Sequence, residues 1–102
     1  MGLDAWMYKV DARAKLSEFK VDCAFRAEEI VYWRKNWDIN NLVCKIFVAK
    51  GGKEEEFNCS TTFLTEKDLL AIKKVCEPYE REYIDIAISA LQDGKLVYYT
   101  CW

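Results

Sequence analysis

Glu28-Glu29-Ile30-Val31-Tyr32-Trp33-Arg34-Lys35-Asn36-Trp37-Asp38-Ile39-Asn40-Asn41-Leu42-Val43 is the stretch on which the fold turns. Its first half carries the β-branched and aromatic residues of a strand, Ile30 to Trp33, behind two glutamates that favour helix. A short strand ending near Arg34 is the better reading. Asp38 then has the chemistry of a helix N-cap. Behind it Ile39, Leu42, Val43, Ile46 and Phe47 recur at the spacing of one apolar helix stripe. Gly51-Gly52 ends that helix. Extended chain therefore passes into helix at Arg34 to Asp38, where aromatic, cationic and amide side chains crowd together.

Patterns on either side extend this hinge into a whole domain. Towards the amino terminus, residues 2–10 alternate with Leu3, Ala5 and Met7 on one side and Asp4, Trp6 and Tyr8 on the other. Apolar character on both sides predicts a strand central in its sheet. Ala12 to Leu16 reads as a charged connector. Phe19, Val21, Cys23 and Phe25 then alternate with Lys20, Asp22, Ala24 and Arg26, the pattern of a half-buried antiparallel strand. Towards the carboxy terminus, Phe57, Cys59, Thr61 and Phe63 alternate as a strand. Thr65 with Asp68 forms a capping box for a helix burying Leu69, Ile72, Val75 and Cys76, which Pro78 stops. A further helix from about Tyr79 carries Ile84, Ala87, Ile88 and Leu91. Asp93-Gly94 turns the chain into a last strand, Leu96 to Trp102, apolar on both faces. The order β-β-β-α-β-α-α-β predicts a single α+β domain over residues 1–102, with helices on one face of a mainly antiparallel sheet.

Composition narrows the function. With 52% apolar residues over 102 positions, one core closes without staples. Fifteen Lys and Arg against 17 acids, mixed along the chain, lack the footprint of a general nucleic-acid binder. No apolar run is long enough to span a membrane and no secretory signal opens the chain, so a cytoplasmic protein is expected. The five cysteines form no C-x-x-C pair and there is no histidine, so zinc ribbons and fingers are excluded. Reduced thiols serving as small hydrophobes are the expectation. Oligomeric state is not legible.

Absence of histidine also removes the Ser-His-Asp and Cys-His nucleophile arrangements. No phosphate-binding glycine loop and no D-x-[DN]-x-[DN]-G calcium loop exists. The glutamate pairs Glu28/Glu29 and Glu80/Glu82 and the run Glu54 to Glu56 read as solvated surface. A non-catalytic binder with no cofactor and no metal is what remains. Tyr32, Trp33, Arg34, Lys35, Trp37 and Asn40 are the candidate binding residues. They could stack and charge-pair a small anionic ligand or a nucleic-acid end at a helix N-terminus, or anchor a protein partner. The competing reading places Tyr32 and Trp33 in the core, with Arg34 paired to a carboxylate such as Asp4.

Three pieces of the chain resemble a known group. Met1-Gly2-Leu3-Asp4 with Met7-Tyr8, then Tyr32-Trp33-Arg34-Lys35 before a helix, then the terminal Tyr98-Tyr99-Thr100-Cys101-Trp102 are similar to small proteins of tailed bacteriophages and prophages that have no established activity. That group often has an Ile-His pair early in the helix, where this chain has Ile39-Asn40. The resemblance implies a phage accessory protein acting in the host cytoplasm on a host factor, as an antagonist of a host process or defence.

Overall fold

The computed structural model describes residues 2–12 and 28–102. The expected strand Phe19 to Arg26, with Cys23, and the connector beyond Ala12 lie outside the described residues. Four strands are present among those described: β1 (Asp4–Asp11), β2 (Glu28–Arg34), β3 (Thr61–Leu64) and β4 (Gly94–Cys101). They form one antiparallel sheet in the order β2-β1-β4-β3. Helices α1 (Trp37–Ala49), α2 (Glu66–Val75) and α3 (Arg81–Ala90) complete an α+β fold. The strands read as apolar on both sides, β1 and β4, are the two central ones, as burial on both faces requires.

Registry explains which side chains enter the core. Ala5 lies opposite Trp33 and Thr100, and Met7 opposite Val31 and Tyr98, so these residues share one face. Ile39 and Val43 from α1, Leu69 and Ile72 from α2, and Ile84 and Ala87 from α3 join that core. Each fully buried Leu or Ile contributes about 1.5–3 kcal/mol relative to exposure, so helix-side packing dominates stability. The other face carries Trp6, Tyr8, Val10, Val97, Tyr99 and Phe63 as a smaller apolar cluster. On β2 the register slips between Met7 and Tyr8, leaving Ile30 as an extra residue and therefore a bulge.

Four local expectations are corrected. Asn36, not Asp38, caps α1: its Oδ1 accepts the Ile39 N–H at 3.0 Å, because the helix starts at Trp37 and Asp38 falls inside the first turn. The strand expected from Phe57 begins only at Thr61. Glu54–Glu56 forms a 3-10 turn that plugs Phe57 into the helix-side core, and Cys59 at φ 63 reverses the chain before pairing starts. Val75 is 52% exposed rather than buried, since α2 ends there and Cys76 turns inward in its place. A 3-10 turn, Pro78–Glu80, precedes α3, which starts at Arg81. Two caps follow the sequence closely. Thr65 and Asp68 make a reciprocal capping box on α2. Past α1, the Gly51 N–H donates to Val48 O and the Gly52 N–H to Phe47 O, both at 3.0 Å. This is a Schellman closure with Gly51 at φ +100.

Candidate functional site

The period of two on β2 divides the predicted binding residues. Trp33 points into the core, 3% exposed, with its ring 6.1 Å from Tyr98. Asn40 follows Ile39 onto the inward side of α1 and is 2% exposed. Its Oδ1 accepts from the Tyr98 hydroxyl at 2.9 Å and from the Thr100 hydroxyl at 2.7 Å. Burial pushes the Tyr98 phenol up, so it stays protonated and donates. Trp33 and Asn40 are therefore scaffold, and both leave the candidate set.

The other four remain at the surface but not as one cluster. Tyr32 lies on the opposite sheet face, where its hydroxyl donates to Asp4 and its ring sits 5.4 Å from Trp6. Asp4 is thus engaged by Tyr32, and no carboxylate among the described residues pairs with Arg34. Arg34 and Lys35 are exposed at the turn; Lys35 takes φ 57 and its N–H donates to Leu3 O at 2.7 Å. Trp37 opens α1 half-exposed, edge-on to Trp102 at 5.6 Å. The helix terminus beside them is already served, because Asn36 satisfies the Ile39 N–H and Asp38 brings a negative charge. Arg34, Lys35 and Trp37 are left exposed where β2 passes into α1.

A second arrangement was not singled out from the sequence. Beside the β2 bulge a groove of about 360 Å³ is lined by Glu29, Ile30, Tyr32, Tyr79, Glu80 and Tyr83. β2 is an outer strand, so among the described residues its far edge has no strand partner. The bulge turns Ile30 towards the helix-side core and brings Glu29 to the groove. Pro78 fixes the 3-10 turn, which carries Tyr79 into solvent, 74% exposed, one helical turn from Tyr83. Glu80 is buried, and its Oε1 accepts the Glu77 N–H at 2.9 Å. Three tyrosines with two carboxylates suit an organic cation, and a strand edge without a partner among the described residues suits an extended chain. The i, i+4 spacing of Tyr79 and Tyr83 in an acidic segment was the available signal.

Elsewhere the chemistry is structural. Burial pushes the Cys44 and Cys76 thiols up, as fits apolar filling groups. Cys59 departs from that expectation, being exposed and hydrogen-bonded. Among the described residues no three potential metal ligands gather, no disulfide is present, and no helix is long and apolar enough to cross a membrane. No protein-family model matches this chain, and neither a curated protein nor a solved structure does.

Proposed function

We propose that this chain is a non-catalytic binding domain that engages a protein partner along the outer edge of β2. The observation that carries the reading is the groove beside the bulge, which Tyr32, Tyr79 and Tyr83 line together with Glu29 and Glu80. Tyrosine is among the residues that most often anchor interfaces. The two carboxylates select a segment bearing Lys or Arg, laid extended against the strand edge. Taken with the resemblance to phage proteins, the partner is a host protein whose engagement antagonises a host process. Peptide-display selection against the folded protein tests this. Lys- or Arg-bearing extended sequences should be enriched, and Tyr83→Ala should weaken them by about 30-fold, the loss of one interface anchor of about 2 kcal/mol. Enrichment that ignores charge, or that survives Tyr79→Ala with Tyr83→Ala, removes the reading.

A second reading rests on the exposed Arg34, Lys35 and Trp37, which suit a nucleotide or nucleic-acid end. The Asn36 cap and Asp38 count against it. Titration with a short fluorescent oligonucleotide separates the two readings. Binding abolished by Arg34→Ala with Trp37→Ala, at unchanged melting temperature, would favour the nucleic-acid reading.

A further inference from the structure

The turn before β3 lies against the end of β4. Thr61 pairs with Tyr99 and Leu64 with Leu96, so the same register run back two residues sets Cys59 opposite Cys101. Hydrogen bonds continue the alignment past the strand: the Thr100 N–H donates to Ser60 O at 3.3 Å. Asn58 clasps the main chain of Trp102, donating from Nδ2 to its carbonyl and accepting its N–H on Oδ1, both at 2.9 Å. Between these tethers the Cys59 and Cys101 sulfurs stand 2.8 Å apart. Cys59 is exposed and Cys101 half-buried.

Two uses of paired thiols can be separated by distance. Zinc–sulfur bonds of about 2.3 Å in a tetrahedron hold sulfurs about 3.8 Å apart, well beyond this separation. No third ligand stands beside them among the described residues. A disulfide instead needs Cα atoms about 4.4–6.8 Å apart, the range in which directly opposed residues of an antiparallel pair lie. We propose that Cys59 and Cys101 are an oxidisable dithiol, closed to an intramolecular disulfide by a small-molecule disulfide such as oxidised glutathione. The Cys59 thiolate attacks one glutathione sulfur and releases the other glutathione, which takes up the proton Cys59 lost. Cys101 then loses its proton and attacks the Cys59 sulfur, releasing the second glutathione. Two thiols are oxidised and one glutathione disulfide is reduced. The hydrogen bond between the Cys59 and Cys101 sulfurs, with burial adding to it, holds the Cys59 thiol above its usual range, so closure accelerates as pH rises.

The new bond would staple the β3 turn to the chain end that packs Trp102 against Trp37 and Phe57. The test equilibrates the folded protein with glutathione redox buffers, quenches by alkylation and maps peptides by mass spectrometry. A Cys59–Cys101 cross-link without lasting glutathione is expected, with the melting temperature raised on the order of 10 °C and restored by dithiothreitol. Cys101→Ser should stop at a mixed disulfide on Cys59, and a Cys101→Ser protein that takes up no glutathione would overturn the attack by Cys59. A fully reduced protein across all buffers, a cross-link involving any other cysteine, or a stable adduct on wild-type Cys59 would overturn the proposal. So would a cross-link that lowers the melting temperature, because that bond would be working against the fold.

Discussion

Replacing Asn40 with alanine should be among the most damaging single changes in this protein. Asn40 is a helix residue, but its side chain belongs to the sheet: one oxygen accepts both the Tyr98 and the Thr100 hydroxyls inside the core. Both donors are fully buried, so neither finds water when the oxygen is removed. Each stranded group costs about 1–3 kcal/mol, and the vacated amide volume adds a cavity cost. The sum is about 4 kcal/mol, a large fraction of the roughly 5–15 kcal/mol that holds a domain together. Urea unfolding followed by tryptophan fluorescence measures it, with the slope against urea checking that unfolding stays two-state. The triple variant Asn40→Leu, Tyr98→Phe, Thr100→Val should recover much of the loss, because polar groups removed together leave nothing unpaired. A cost for Asn40→Ala below about 1 kcal/mol would mean that the two hydroxyls find other acceptors.

Other expectations rest on separate features. Thr62 has a buried hydroxyl without a hydrogen-bond partner, so Thr62→Val should stabilise by about 1 kcal/mol in the same unfolding assay. Gly94→Ala would set a Cβ 2.8 Å from the Val10 carbonyl oxygen, and should lower stability by about 1–3 kcal/mol. Burial alone would raise the Asp68 carboxyl, but hydrogen bonds from Lys50 and Thr65 outweigh it and hold the carboxyl below its usual range. A depressed folded pKa adds stability above about pH 4 that is lost as pH falls through the folded value; Asp68→Asn should flatten that part of the stability profile. Lys35→Gly relieves a left-handed backbone at φ 57, so its melting temperature should hold or rise despite the lost charge.

What the sequence revealed depended on whether one short-range rule governed the residue. Apolar character on both faces marked β1 and β4, which are the two central strands, and the Thr65–Asp68 and Gly51-Gly52 signals placed two helix ends. Asp38 was the expected cap of α1, but after the left-handed Lys35 the helix already starts at Trp37, which gives the cap to Asn36 and leaves Asp38 in the first turn. Phe57 misled because a 3-10 turn and a left-handed Cys59 break a pattern that looks strictly alternating on paper. The binding residues were chosen as neighbours in sequence, yet a strand sends neighbours to opposite faces. Trp33 thus entered the core while Tyr32 and Arg34 stayed outside, and Asn40 entered it separately, on the inward side of α1. The groove joins residues about fifty positions apart across a bulge, and neither a bulge nor a long-range contact leaves a periodic trace.

An amide NMR titration decides whether the β2 edge binds a cationic segment. The labelled protein is titrated with a Lys- or Arg-bearing peptide from the display selection. Shifts confined to Glu29 to Tyr32 and Tyr79 to Tyr83 are expected, lost in the Tyr83→Ala protein and weakened as salt rises. Shifts centred on Arg34, Lys35 and Trp37, or scattered without a focus, would contradict binding at that edge.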